Sequence, residues 1–417
     1  MSLSLAIACL SGCSAANTEI ASSSAATATV TPTTDSTEVS ASNNVFTSAG
    51  DGLYVTTDSG IYELQTVFPD SANIFYTDAN TKERIFLCAN PNCTHADESC
   101  PSYIATPSAM FPPMLLRVGD QLLVVFTEAT DSSNPHGMLM NMDGSNRRTV
   151  FELASNQYMQ GGFCTSGNDL YFDLYEINDS GNVTYQLWYV SFENGTSEKL
   201  MDLGSDSDHY SLCDGANNEL CFNHVSSDGI SYCMYNPQSK TISDPFFVDS
   251  SVSGNSMIQD GYLFVLDEQA SSVQRIRLSD KEQASASFTV KEGFGAPSMR
   301  YLFDGNLMIT EAQTTASDIP TDGSYGVCSY ILDFGTRNCT EFTLQTPYNN
   351  RPVYVLTTIG DACYVATDYK TYTPTSVSED GTVSNFDYVA NIYAFITKQD
   401  YINSNQNGYS MVKDAFE

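Results

Sequence analysis

The sequence predicts an all-β chain, a β-propeller whose blades are four-stranded antiparallel sheets. Three observations carry this expectation. Only 17 of the 417 residues are Lys or Arg, and the chain is rich in Ser, Thr, Asn, Asp, Gly and Tyr, which favour strands and turns over helices. A single phrase, a Gly/Asp/Asn turn running into a short apolar strand, recurs along the chain. Within the strands that follow it, apolar and polar residues roughly alternate, as strands packed between neighbouring sheets require.

The phrase reads "GDGLYV" at 50, "GDQLLVV" at 119, "GNDLYF" at 167, "NNELCF" at 217, "DGYLFV" at 260, "DGNLMI" at 304 and "GDACYV" at 360. Successive spacings after the first are 48, 50, 43, 44 and 56 residues. Periods of about 40 to 50 residues in a strand-rich chain are those of propeller blades. Seven blades are counted, with six or eight as the alternative closures. The first is expected to be completed by a strand from the other terminus. Residues 210 to 249 illustrate one unit: "YSLCDGANN" as inner strand and turn, "ELCFNHV" as the second strand, "ISYCMYN" after an "SSDG" turn, and "SDPFFVD" as the end. A unit of this kind cannot cover both its faces alone, so units must stack, and a closed ring protects the sheet edges. The recurrence of one phrase disfavours a pair of β-sandwiches.

Three segments follow from the N-terminus. Residues 1–13 hold an apolar core, "LSLAIACLSGC", ending in Leu10-Ser11-Gly12-Cys13. This resembles the lipobox of bacterial lipoproteins, which implies cleavage before Cys13 and a diacylglycerol on its thiol. The basic residues that should open a secretory signal are missing, so the true start is expected upstream. Residues 14–44 contain 21 Ser, Thr or Ala in 31 positions. Such a segment buries too little apolar surface to fold and reads as a disordered tether of about 30 Å r.m.s.. Residues 45–417 are the propeller body. No apolar run is long enough for a membrane span, so the expected membrane contact is the lipid alone.

Acidic residues outnumber basic ones by 50 to 17, a formal charge of -33. That argues against nucleic acid as a partner, since its phosphates would be repelled, and against docking on anionic lipid through a basic patch.

The long first spacing, 69 residues, contains "LCANPNCTHADESCP". Cys88, Cys93, His95 and Cys100 fall in a Cys-x4-Cys-x-His-x4-Cys pattern. Three thiolates and one imidazole make a tetrahedral Cys3His shell, and a closed shell of four protein ligands is a structural zinc site. A disulfide is the second reading, since disulfides form outside the cytoplasm. The third, Cys93 as nucleophile with His95 as base, ranks last because catalytic pairs normally converge from separate parts of a fold. The surrounding stretch, "IFYTDANTKERIFLCANPNCTHADESCPSYI", resembles a phrase of uncharacterised propeller-like lipoproteins from Clostridia and related gut bacteria. The resemblance covers residues 73–104 and the lipobox. It implies a fold and an extracytoplasmic address on the outer face of the bacterial cell membrane, with little about activity.

Cys221 and Cys233 flank the "SSDG" turn almost symmetrically and are read as a candidate cross-strand disulfide. Asp206 and Asp208 in "GSDSDH" read as a solvated loop rather than a calcium site. No nucleophile elbow, P-loop or dinucleotide fingerprint occurs, and none of the four histidines sits in a metalloprotease frame. No catalytic residue is singled out. The expected function is that of a monomeric, lipid-anchored binding or interaction module for a surface protein, peptide or glycan. The alternative is a glycan-active hydrolase or lyase with carboxylates at the channel mouth.

Overall fold

The computed structural model describes residues 46–48, 52–68, 71–106, 112–249, 255–313, 326–372, 375–377, 383–385 and 388–414. The lipobox with Cys13 and the 14–44 tether lie outside the described residues. The chain is a β-propeller. Four-stranded antiparallel meanders succeed one another along it.

The first unit consists of Tyr54–Thr56, Gly60–Phe68, Ser71–Asp78 and a split outer strand, Arg84–Phe86 and Tyr103–Ala105. Both halves of the outer strand pair with Ser71–Asp78. The second unit spans Met114–Val118 to Arg148–Glu152, the third Gln157–Ser166 to Thr196–Ser205, and the fourth Asp208–Ala216 to Thr241–Ile242. The fifth runs from Ser256–Gln259 to Gln283–Ser287, the sixth from Phe294–Tyr301 to Asn338–Phe342, and the last from Val355–Ile359 to Ser410–Met411. Third and fourth units are continuous through a short pairing of Gly204 with His209.

The recurring phrase marks the turn between the first and second strands of each unit after the first. In the fifth unit Gln259 pairs with Tyr262, which leaves Asp260 and Gly261 as the turn. Both have positive φ, the conformation that Asp and Gly tolerate and β-branched residues resist. The phrase at 50 falls one strand early: Tyr54–Thr56 is itself the inner strand of the first unit, and its turn is the "TDSG" that follows.

The apolar core is divided among the boundaries between units. Ile74 and Leu64 of the first unit meet Leu122 and Val124 of the second. Leu123 and Leu139 of the second meet Phe163 and Phe172 of the third. Each later boundary has its own cluster, and the last closes the ring: Ile61 of the first unit packs on Tyr364, Tyr393 and Phe395 of the last. The C-terminal strand does not complete the first unit as a strand. It reaches it through one parallel bridge, Lys413 to Glu83. The segment Thr47–Ser48 pairs with the inner strand of the third unit, and Phe46 is buried in the core between the third and fourth.

Candidate metal centre

The split in the first unit's outer strand is where the Cys/His stretch sits. Residues 87 to 102 leave the sheet after Phe86 and rejoin it at Tyr103. Short turns shape this excursion: the Cys93 N–H donates to the Asn90 carbonyl at 3.1 Å and the Cys100 N–H to the Asp97 carbonyl at 3.0 Å. Side chains cap both turns, Asn90 accepting from the Asn92 N–H and Asp97 from the Ser99 N–H. These are Asx turns, the local bonding that Asn and Asp favour. His95 takes the left-handed conformation, φ 56°.

The result gathers all four predicted donors. One ligand atom from each of Cys88, Cys93, His95 and Cys100 lies within 4.8 Å of every other. In a tetrahedral shell with metal–sulfur bonds of about 2.3 Å, neighbouring ligand atoms stand about 3.8 Å apart. The cluster therefore needs only small side-chain adjustments to close around an ion. His95 Nδ1 lies 3.3 Å from Cys100 Sγ, within hydrogen-bonding reach of the inner thiol. All four side chains come from the protein, so a bound ion would have no open position for substrate.

A second layer holds the donors. The His95 ring stacks on Phe86, centroids 4.0 Å apart and 8° from parallel. Buried Asn73 donates to the His95 carbonyl at 3.1 Å and to the Ser102 hydroxyl at 3.0 Å. Ser102 Oγ in turn lies 3.1 Å from Cys100 Sγ. Arg147 of the second unit donates to the carbonyls of Tyr103 (2.6 Å) and Pro101. Sequence reasoning missed Asn73, Ser102 and Arg147, because nothing in their local pattern marks them as supports for a loop folded far from them.

Burial pushes the Cys88 thiol up to about 11. Burial also acts upward on Cys100, but hydrogen bonds from Ser102 and from the Cys93 and Cys88 thiols outweigh it, and its net shift is down. Burial lowers His95, which favours the neutral imidazole, the form that ligates metal.

The disulfide expected between Cys221 and Cys233 is not formed; both are free thiols. The hairpin turn pairs Ser226 with Gly229, and that register puts Cys221 opposite Met234 and Cys233 opposite Phe222. The two thiols thus lie on opposite faces of the sheet. Cys221 packs in the core between the fourth and fifth units and Cys233 in that between the third and fourth. Asp208 accepts from His224 Nε2 at 2.7 Å, and among the described residues the only group suited to a metal is the Cys/His cluster.

At one end of the ring, the inner strands of the fifth, sixth, last and first units enclose a cleft of about 430 Å³. Met257, Leu302, Val355 and Thr357 line it, together with Asp260, Asp304 and Arg300. Its carboxylates are engaged: Tyr301 donates its hydroxyl to Asp260, and the Lys398 ammonium lies 2.9 Å from both oxygens of Asp304. None of the four histidines lines it. Each stacks on an aromatic ring elsewhere: His95 on Phe86, His136 on Phe126, His209 on Tyr185 and His224 on Tyr210.

No protein-family model matches this chain, and no curated protein matches it in sequence. Solved structures resemble it in architecture. The β-propeller domain of the Trilobed protease from Pyrococcus furiosus is 12% identical at a TM-score of 0.36, with 73% of this chain and 99% of that one covered. Oligogalacturonate lyase from Vibrio parahaemolyticus is 10% identical at 0.41, covering 84% and 92%. The tricorn protease is 10% identical at 0.33, covering 82% of this chain and 35% of that one, so the chain spans about a third of that protein. At these identities and scores the resemblances carry no functional argument, and the propeller assignment rests on this chain's own sheets. Among the described residues no helix is long and apolar enough to cross a membrane.

Proposed function

We propose that this chain is an extracytoplasmic, monomeric binding module, anchored to the outer face of a bacterial membrane through a lipidated Cys13 and stapled by a structural zinc. The resemblance of residues 73–104 and the lipobox to clostridial-type propeller lipoproteins supports the address. The observation that carries the staple is the convergence of four ligand atoms within 4.8 Å. Zinc suits the donor set because it accepts three thiolates and an imidazole in tetrahedral geometry without redox chemistry. Bound there, it would lock the excursion in the first unit's outer strand and supply no reaction.

A binding role is favoured over a glycoside hydrolase by the channel-end cleft. Its Asp260 and Asp304 already accept from Tyr301 and Lys398, so neither stands as an unengaged acid or base, and glycoside cleavage needs a pair. The test has two parts. Expressed in a bacterial host, the full chain should incorporate labelled palmitate and lose the label on Cys13→Ala. Purified and presented to arrays of glycans and peptides, it should retain ligand without turnover. Release of reducing ends or unsaturated sugar products would favour the enzyme instead.

A further inference from the structure

We propose that the groove between the Cys/His excursion and the second unit binds a small organic carboxylate with an apolar body, and that the excursion forms one wall of this site. The statement about the wall rests on the metal reading above; the groove itself does not.

The groove holds about 410 Å³, the size of a small-ligand cleft. Its body is apolar: Ile104 from the first unit's outer strand, and Phe126 and Met138 from the second unit. One cationic group, Arg147, faces this apolar lining, beside the imidazole of His136. In a chain with 50 acidic and 17 basic residues, the Arg147 guanidinium in an apolar groove points to an anionic partner.

Both groups retain hydrogen-bonding capacity. Arg147 donates Nε to the Gly144 carbonyl at 3.1 Å and one bond from each terminal nitrogen to Tyr103 and Pro101. Five N–H groups are available on a guanidinium, so one on each terminal nitrogen is left. His136 Nδ1 lies 2.7 Å from the Asn134 carbonyl oxygen. That carbonyl can only accept, so Nδ1 carries the proton; in the neutral ring Nε2 is then an acceptor, suited to a donor group on the ligand, and the carboxylate falls to Arg147. At the rim, Thr130 lies 3.0 Å from Ser133 and 3.4 Å from Ser132 through their hydroxyls. Glu98 is the one carboxylate in the lining, and it is exposed.

The wall is tied to the Cys/His cluster. Cys100 is followed directly by Pro101, whose carbonyl Arg147 holds. Gly144, at φ 77°, allows that approach, because a Cβ there would stand 2.3 Å from the Pro101 oxygen. Loosening the donors therefore loosens residues 101 to 106, which the ligand would touch.

The test is calorimetric titration of the full chain with phenylacetate and hexanoate, beside neutral phenylacetamide and cationic phenethylamine. Both carboxylates should bind, with the amide and the amine at least about tenfold weaker, as expected for loss of a charge-assisted bond. Ser132→Trp, which fills the groove from its exposed rim without touching the Cys/His cluster, should abolish binding. Arg147→Lys should weaken phenylacetate about tenfold and more than it weakens the amide, which loses only the wall that Arg147 holds. Binding of no probe, equal binding of amide and carboxylate, or full binding by Ser132→Trp would each overturn the site. Stripping the metal with a chelator should weaken phenylacetate binding severalfold. A chain that holds no metal yet binds phenylacetate through this groove would sink the wall and the metal reading together and leave the groove standing. A metal-loaded chain that binds no carboxylate would sink the groove alone.

Discussion

The guanidinium of Arg84 lies 2.9 Å from the carboxylate of Glu63, and the two side chains are only 1% and 6% exposed. The pair belongs to the first unit but is completed by the last. Tyr393 donates its hydroxyl to Glu63 at 2.6 Å, Asp414 accepts from Arg84 at 3.2 Å, and the Arg84 guanidinium stacks over Phe75 at 3.8 Å. The residues that close the ring thus carry a buried ionic cluster. Removing one member of such a pair strands the other charge and costs about 3 to 5 kcal/mol, whereas replacing both by apolar groups costs far less. Glu63→Ala should lower unfolding free energy by that amount in urea titrations, and Glu63→Leu with Arg84→Met should recover at least half. Equal losses in the single and double variants would mean that the cluster does not act as a unit.

Asp173 gives a pH dependence with a definite sign. It is 1% exposed and accepts from the Leu212 N–H at 3.1 Å. Burial pushes its pKa from 3.8 up to about 7, against the pull of the backbone N–H groups of Leu212 and Gly162. The folded protein therefore binds this proton more tightly than the unfolded chain. The associated stability is complete below about pH 4 and is lost as pH rises through 7, on the order of 4 kcal/mol. Asp173→Asn should flatten this part of the stability profile between pH 4 and 7. A wild-type chain that gains stability relative to the variant over that range would contradict the assignment.

Asn73 bridges the Cys/His cluster to the sheet. Asn73→Ala removes its bonds to the His95 carbonyl and the Ser102 hydroxyl. Loss of a second-layer partner lowers metal affinity about 10- to 100-fold, measurable by competition with a chromogenic chelator. Unchanged affinity would mean that the ligands are oriented without it.

Alkylation of the denatured, unreduced chain should label Cys221 and Cys233 separately, because their thiols face different cores. A peptide linking them would require a different strand register from the one observed.

Much of the architecture was legible because it is local. The turn between first and second strands places at least one residue at positive φ in each unit after the first, and only a few residue types accept that, so "DGYLFV" and its relatives repeat visibly. The Cys/His cluster was legible for the same reason: four soft donors within thirteen residues can meet only if the chain folds on itself there. The Cys221–Cys233 pairing failed by one residue. Symmetry about a turn does not fix register, and a one-residue offset sends a side chain to the other face. The phrase at 50 misplaced the first unit's turn because "GDGLYV" and the true "TDSG" turn are both turn-forming, and only pairing distinguishes them. Arg84, Arg147 and Asp173 were invisible for a different reason. Each acquires its partners from distant segments, and a buried Arg has no sequence signature apart from the contacts it makes.

The most direct measurement is metal content with a free-thiol count on the full chain purified without reductant. The account predicts about one zinc per chain, lost on His95→Ala, with Cys88, Cys93 and Cys100 becoming reactive to alkylation once the metal is removed. A metal-free chain in which those cysteines are oxidised, and in which His95→Ala changes nothing, would contradict it.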